Sequence, residues 1–305
     1  MTLIRAFSLF FLLSISEKSL AASCCGGGFS FPALILGDDR AQITSSLSTA
    51  AVSNEVLNNG LWIHRRDNNS AQTLKLEGAA LISDQLQFGV SLPLVYKTND
   101  VHPSSSGVGD VSLFLGHESF PERTFSRYKP KGISFLQLQL PTSPSIYDSS
   151  AETANESRGR GFYSLGAGIA LVKSFKAWDF NYTGELHHSF AKDVDAKTLG
   201  GKTRLTPGFG TSHALGAGWN KGPYRVGLAA SMLYEEAIEA LGLNHTLDSQ
   251  GASQQSFTGT LLASYMPSME SAWTLSYADQ TALGNPSNTS LTKTINISYQ
   301  QRWPR

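Results

Sequence analysis

The chain has 305 residues, of which 41% are apolar, and its 24 basic and 24 acidic side chains give a formal net charge of zero. A neutral chain without a basic run is not expected to bind nucleic acid or an anionic lipid surface through its charge. The two cysteines, Cys24 and Cys25, are adjacent, so they cannot form a disulfide framework. The 28 glycines and the modest apolar fraction favour a barrel of membrane strands, in which only every second residue is apolar.

Residues 1–23 have the pattern of a secretory signal peptide. Arg5 precedes the apolar run 6–15, and the small residues 21–23 provide a cleavage site. The alternative is a lipoprotein signal that leads to acylation of Cys24, although Ala21 stands where such signals usually have leucine. No later apolar run approaches the roughly 18 residues that a membrane-spanning helix needs, so any membrane crossing must be made by a closed barrel.

Residues 24–39 are glycine-rich and then apolar, which predicts a periplasmic arm or a small plug ahead of a barrel over residues 40–305. We interpret Cys24-Cys25 as part of an arm without chemistry. The alternative is a thiol pair that binds a soft metal. No His, Met or third Cys lies close by in the sequence. We therefore predict no metal and no cofactor.

Strict alternation of apolar and polar residues organises the remainder of the chain. In 86–96 the apolar residues Leu86, Phe88 and Val90 share one face, and in 178–190 Trp178 and Phe180 alternate with polar residues. This pattern predicts strands with lipid outside and water inside. The candidate strands are 43–52, 74–83, 86–96, 109–118, 133–140, 162–173, 178–190, 209–219, 224–234, 257–265, 273–277 and 291–303.

The connections between these strands alternate between short and long. Residues 84–85, 174–177, 220–223 and 266–272 are short, whereas the connections between the other strand pairs are mostly long and polar. Short periplasmic turns and long extracellular loops give this alternation. The segment 119–131 is an exception, because it is long where a turn is expected. We predict an all-β fold, a transmembrane antiparallel up-and-down β-barrel of about 12 strands. A soluble β-sandwich is the alternative.

Three segments resemble the outer-membrane barrel family named for the MetA-pathway of phenol degradation. Residues 107–111 (GVGDV) are similar to its G-x-G-D strand opening, and 159–161 (GRG) to its G-x-G loop return. Residues 138–143 (LQLPTS) resemble its L-P-T-G strand end, with Ser143 in place of Gly. The resemblance implies an outer-membrane transporter, with some members linked to aromatic compounds. Here Pro304 and Arg305 follow Trp303, whereas such barrels usually end on an aromatic residue.

The polar strand faces supply the candidate lumen residues. They are Lys75, Glu77, Asp110, Gln137, Gln139, Asp179, Asn181, Glu185, His187 and Arg225. A barrel of about 12 strands is wide enough for a narrow channel. We therefore predict a non-enzymatic, porin-like channel in the outer membrane of a Gram-negative cell. Its expected partners are outer-membrane lipid, a small-molecule solute and the barrel-insertion machinery, and nucleic acid is not expected.

Two other functions remain open from the sequence. The first is a non-conducting structural or adhesive barrel, in which opposite lumen charges simply pair. The second is an outer-membrane lipid-modifying enzyme that uses His187 near Ser189. Nucleophilic catalysis requires a base within hydrogen-bond reach of the serine, and two residues along an extended strand is a long distance.

Overall fold

The structure is a computed structural model that describes residues 33–65, 69–100, 103–122, 126, 128–145, 147, 156–196, 201–242 and 249–305. The predicted signal peptide and the pair Cys24-Cys25 lie outside the described residues. Within the described ranges, no helix is long and apolar enough to cross a bilayer.

Twelve long antiparallel strands form a closed barrel, which confirms the predicted fold class. Each strand pairs with its neighbour in the chain, and the first strand closes the ring by pairing with the last from Asp39↔Pro304 to Val56↔Thr289. The strands are β1 Asp39–Val56, β2 Asn69–Leu81, β3 Leu86–Asn99, β4 Val111–Phe120, β5 Lys131–Leu140, β6 Ser164–Phe175, β7 Trp178–Ser189, β8 Phe209–Lys221, β9 Tyr224–Glu235, β10 Gln254–Tyr265, β11 Ser271–Asp279 and β12 Thr289–Pro304.

The alternation of side chains separates an apolar outer surface from the interior. In β7, Phe180 and Leu186 are 47% and 56% exposed, whereas Asp179, Thr183 and His187 on the other face are buried. Apolar outward side chains occur all round the ring, for example Leu76, Leu228 and Leu275. A closed ring also pairs the backbone groups of the strands with each other, which is the condition for crossing lipid with β-structure.

The two ends of the barrel differ. At the turn end, β6 and β7 are joined by residues 176–177, and β8 and β9 by residues 222–223. Lys176 and Gly222 adopt positive φ values of 55° and 56° in these tight turns. The connection between β4 and β5 is the long one predicted from the sequence, at residues 121–130. The opposite end, where the longer connections lie, is called the loop end.

Short strands extend the loop end beyond the barrel wall. Trp62–His64 pairs with β1, and Ser105–Val108 pairs with β3. A separate four-stranded sheet consists of Lys192–Ala196, Gly201–Thr206, Glu239–Gly242 and Ser249–Gln250. This sheet contributes Val194, Leu205 and Ala240 to an apolar cluster with Phe162. The sequence patterns did not predict these strands, because each is too short to show a clear alternation of apolar and polar residues.

Some strand limits differ from the prediction. The serine- and threonine-rich segment 43–52 extends to 18 residues as β1, because its backbone pairs on both sides, with β12 and with β2. The predicted strand 162–173 begins two residues later, at Ser164. Phe162 instead packs in the apolar cluster of the four-stranded sheet, where the Tyr147 ring meets it edge-on with ring centroids 5.9 Å apart. Burial raises the pKa of the Tyr147 phenol.

Residues 33–36 lie inside the barrel near the turn end. The backbone N–H of Ile35 donates to Gln87 Oε1 at 2.5 Å, and Gln87 Nε2 donates to the Ile35 carbonyl at 3.2 Å. Ala33, Leu34 and Ile35 are almost fully buried. A Cβ at Gly89 would overlap the Ala33 carbonyl, so this glycine makes room for the segment. The limits proposed for the arm or plug, 24–39, stay a prediction, since most of that range is not described.

Candidate functional site

The candidate lumen residues occupy inward positions of the barrel. Asp110 precedes β4 directly, and the others lie on strands β2, β5, β7 and β9. Asp179, His187 and Arg225 are buried, at 3%, 9% and 2% exposure. Most of the candidates fall into two groups, an upper group around a cavity at the loop end and a lower ion pair near the turn end.

The upper group surrounds a cavity of about 400 Å³. The predicted residues on its wall are Lys75, Asp110, Gln137, Gln139, Glu185 and His187. Arg158 and Arg160, which were not among the candidates, also line it, as do the apolar side chains of Pro93 and Leu233. A cavity of this volume is large enough for a small organic molecule. The sequence drew attention to Gly159-Arg160-Gly161 for its glycines, and the same segment brings both arginines to the cavity.

Asp110 anchors the segment 156–163 at the loop end through hydrogen bonds. Its Oδ1 accepts hydrogen bonds from the Ser143 hydroxyl at 2.6 Å and the Ser143 N–H at 3.2 Å. Its Oδ2 accepts from the N–H groups of Arg160 at 2.7 Å and Gly161 at 3.3 Å, and from Gln139 Nε2 at 3.3 Å. A Cβ at Gly159 would overlap Asp110 and Ser143, so only glycine fits there. The three resembling segments thus meet at one carboxylate.

His187 lies in a second polar cluster on the cavity wall. Its Nε2 is 3.0 Å from Glu235 Oε1, and Arg160 Nη2 is 2.5 Å from the same oxygen. Gly210 stands opposite both His187 and Glu235 in the strand register, and a side chain there would overlap them. The glycine therefore allows the side chains of β7 and β9 to meet over β8. Arg160 joins this cluster to the Asp110 side of the cavity.

The lower group is a buried ion pair. Arg225 donates from Nε to Asp179 Oδ2 at 2.8 Å and from Nη2 to Oδ1 at 2.6 Å. Asn220 Nδ2 also donates to Asp179 at 2.7 Å. The side chains of Arg225 and Asp179 are 1% and 4% exposed. Gly218 lies against the guanidinium, where a Cβ would approach within 2.5 Å. This bidentate arrangement holds the two charges in fixed positions.

The two remaining candidates, Glu77 and Asn181, lie against neighbouring residues of the wall. Lys75 Nζ is 3.1 Å from Glu77 Oε2 on the same face of β2. Asn181 fills the space beside Gly216 on β8. Such pairing of opposite charges is the arrangement that the alternative of a non-conducting barrel predicts.

The prediction of a polar interior is wrong for part of the lumen. Phe114, Ile133 and Phe135 point inward and pack with Ala33 and Leu34 in one apolar cluster. The inward positions of β5 thus change from apolar at the turn end to Gln137 and Gln139 at the loop end. Alternation along the strand identifies the inward face but not what lies against it.

The geometry offers no support for serine chemistry at His187. Its described partners are Arg160, Glu185 and Glu235. The Ser189 hydroxyl instead bonds to that of Ser164 at 2.5 Å. Across the described residues, no group of three His, Cys, Asp or Glu side chains is arranged to hold a metal ion.

Neither the protein-family models nor the curated proteins gave a match to this chain. Among solved structures, the chain is similar to the COG4313 outer membrane channel from Pseudomonas putida F1, with a TM-score of 0.68 and 13% identity over 88% of this chain and 97% of that one. It is also similar to the toluene transporter TodX from Pseudomonas putida, with a TM-score of 0.42 and 8% identity over 87% of this chain and 90% of that one. The first of these similarities supports the barrel fold described above.

Proposed function

We propose that this protein is an outer-membrane channel that lets small solutes pass passively. The observation that carries the proposal is a closed barrel, apolar outside, that encloses a cavity of about 400 Å³ at its loop end. The cavity gives a small solute a place to bind between the loops and the lower lumen. The name of the similar Pseudomonas putida structure, an outer membrane channel, supports the same proposal.

The interior suits solutes with an apolar part. Most residues on the cavity wall are polar, but Pro93 and Leu233 also line it. Farther toward the turn end, Phe114 and Phe135 pack against the N-terminal segment and are almost fully buried, so the apolar contacts open to a solute are those of the cavity wall. A wall that combines charged and apolar side chains favours small, partly hydrophobic molecules, which include the aromatic compounds implied by the family resemblance.

The proposed orientation places the turn end and both barrel termini in the periplasm. Short periplasmic turns and long external loops are the usual arrangement of outer-membrane barrels. The insertion machinery would then meet β12, where Trp303 is 43% exposed close to the terminus. Outer-membrane lipid would contact the apolar wall.

A non-conducting barrel is the second candidate. The observation in its favour is the segment 33–36, which lies in the lumen and is held by the paired hydrogen bonds of Gln87. The neutralised pair Asp179 and Arg225 would serve a structural barrel equally well. A lipid-modifying enzyme is not proposed, because the described partners of His187 include no serine hydroxyl.

Liposome swelling separates a channel from a sealed barrel. The purified full chain, reconstituted into liposomes, is diluted into isosmotic solutions of small neutral solutes of increasing size. A channel predicts swelling that is fastest for the smallest solutes and absent from liposomes without protein. Equal rates with and without protein, from a sample that has been shown to be folded, would leave the non-conducting barrel.

A further inference from the structure

We infer that Arg158, with Lys97 beside it, forms a binding subsite for the carboxylate of a small organic acid at the loop end of the lumen. The inference rests on the proposed channel function, because it names the class of solute that the cavity takes. It starts from an unequal distribution of charge around the cavity.

The acidic side chains around the cavity already have partners. Asp110 accepts its hydrogen bonds from Ser143, Gln139 and the backbone of the 156–163 segment. Glu235 pairs with Arg160 and Glu77 with Lys75. Glu185 is within 3.4 Å of the Ser212 hydroxyl and 3.8 Å of His187 Nδ1. These carboxylates therefore contact groups other than Arg158.

Arg158 and Lys97 have neutral partners instead. Arg158 Nη1 donates to the Ser105 hydroxyl at 2.7 Å, and Lys97 Nζ donates to the Ser157 carbonyl. Within the described ranges, neither cation has a carboxylate within ion-pair distance. Arg158 Nε is buried and has no hydrogen-bond partner there. Lys97 stands opposite Ser105 in the strand register and bonds to the residue before Arg158, so the two positive charges lie near each other. An anion placed against the guanidinium would offset their mutual repulsion.

The guanidinium of Arg158 is held in a fixed position. Its Cζ and Nε lie 2.8 Å from the place where a Cβ of Gly107 would be, so the plane rests against the backbone of that glycine. The Ser105 hydroxyl and the anchored segment 156–163 fix it from the other sides. A planar guanidinium in a fixed position is the group best suited to a carboxylate, which it binds through two parallel hydrogen bonds.

The cavity adds an apolar surface next to this charge. Pro93 and Leu233 line the same space as Arg158, and Gly109 brings the backbone of the 156–163 segment close to the Pro93 ring. An acid with a compact apolar body would place its carboxylate on Arg158 and its body against these side chains. A neutral molecule of the same shape would not make the ionic contact with Arg158.

Binding of benzoate tests the inference. Equilibrium dialysis with the purified full chain in a neutral detergent would compare benzoate with benzyl alcohol, which has the same ring but no charge. The variants are Arg158→Gln, which removes the charge but keeps an amide, and Lys221→Gln, which removes an exposed positive charge at the turn end. A heat-dependent gel shift would show that each variant retains the barrel.

We expect benzoate to bind the unchanged protein and Lys221→Gln equally, and Arg158→Gln about tenfold or more weakly, as the loss of a charged hydrogen-bonded pair requires. Added salt should weaken benzoate binding without a comparable effect on benzyl alcohol. Equal affinity of Arg158→Gln and the unchanged protein would overturn the subsite, as would equal binding of the acid and the alcohol.

The outcomes also separate a failure of this subsite from a failure of the channel proposal. Benzoate binding that depends on Arg158, in a protein that causes no liposome swelling, would retain the subsite and remove passive passage. Swelling by neutral solutes, with benzoate binding that ignores Arg158, would retain the channel and remove the subsite.

Discussion

The carboxylate of Asp110 and the hydroxyl of Ser143 are 2.6 Å apart, with both side chains buried at the loop end of the barrel. Asp110 precedes β4 and Ser143 follows β5, so this bond ties two neighbouring strand ends together. The same carboxylate accepts the N–H of Arg160 from the returning loop. Ser143, which stands where the L-P-T-G pattern it resembles has Gly, therefore adds a hydrogen bond that glycine could not make.

Replacement of Asp110 by alanine should loosen the 156–163 segment without opening the barrel. The change removes the acceptor of five hydrogen bonds and leaves buried donors without partners. Each hydrogen bond to a charged group contributes about 1.5–3 kcal/mol to stability. The variant should therefore lose several times more local stability than the removal of a single surface contact would cause. Hydrogen exchange should increase in 156–163, while the exchange of β7 and β8 stays unchanged.

Ser143→Gly tests the same set of contacts with a smaller change. It removes the hydroxyl but keeps the backbone N–H that donates to Asp110. We expect an increase in exchange of 156–163 that is clearly smaller than that of Asp110→Ala. An effect as large as that of the alanine variant would mean that the carboxylate is not the anchor.

Arg225→Met should destabilise the barrel strongly. It leaves the Asp179 carboxylate buried without its main partner, and breaking one side of a buried pair costs about 3–5 kcal/mol. The temperature at which the barrel loses its compact gel mobility should fall. Asp179→Asn combined with Arg225→Met should recover part of the loss, because no buried charge is then left. If the double variant is no more stable than the single one, the pair is not the cause.

A charged side chain on the outer wall should lower the stability of the folded barrel only where the wall lies within the lipid. Leu228 is 61% exposed on β9, between Ala217 and Leu261 of the adjacent strands. Leu228→Arg should destabilise the folded barrel by about 2–4 kcal/mol if this position lies near the middle of the bilayer. Leu57→Arg, at a loop position with 39% exposure, is the matched control and should have little effect. Equal tolerance of both changes in folding assays in lipid vesicles would contradict a transmembrane wall.

The sequence was sufficient for the barrel because alternation is a local property of each strand. The apolar residues Phe180 and Leu186 point outward and Asp179 and His187 point inward, as their spacing requires. The alternation of short and long connections also predicted the strand pairing, because it places each strand next to its neighbour in the chain. β1 was predicted too short because its serines and threonines weaken the apolar signal, whereas its stability comes from backbone pairing on both sides.

The contacts inside the barrel could not be predicted in the same way. Asp179 and Arg225 lie 46 residues apart, and Gln87 meets Ile35 across 52 residues. These contacts depend on which side chains the closed ring brings together. Phe135 and Gln137 share an inward face, and only the position of residues 33–36 explains why one is apolar and the other polar.

Single-channel recording in planar bilayers tests the proposed function most directly. Residues 33–36 narrow the lumen, so the unchanged protein should show small current steps, and a variant without residues 24–37 should show larger ones. Lys221→Gln should match the unchanged protein. If neither the unchanged protein nor the shortened variant produces discrete steps, although both keep the heat-dependent gel shift of a closed barrel, the protein is not a channel.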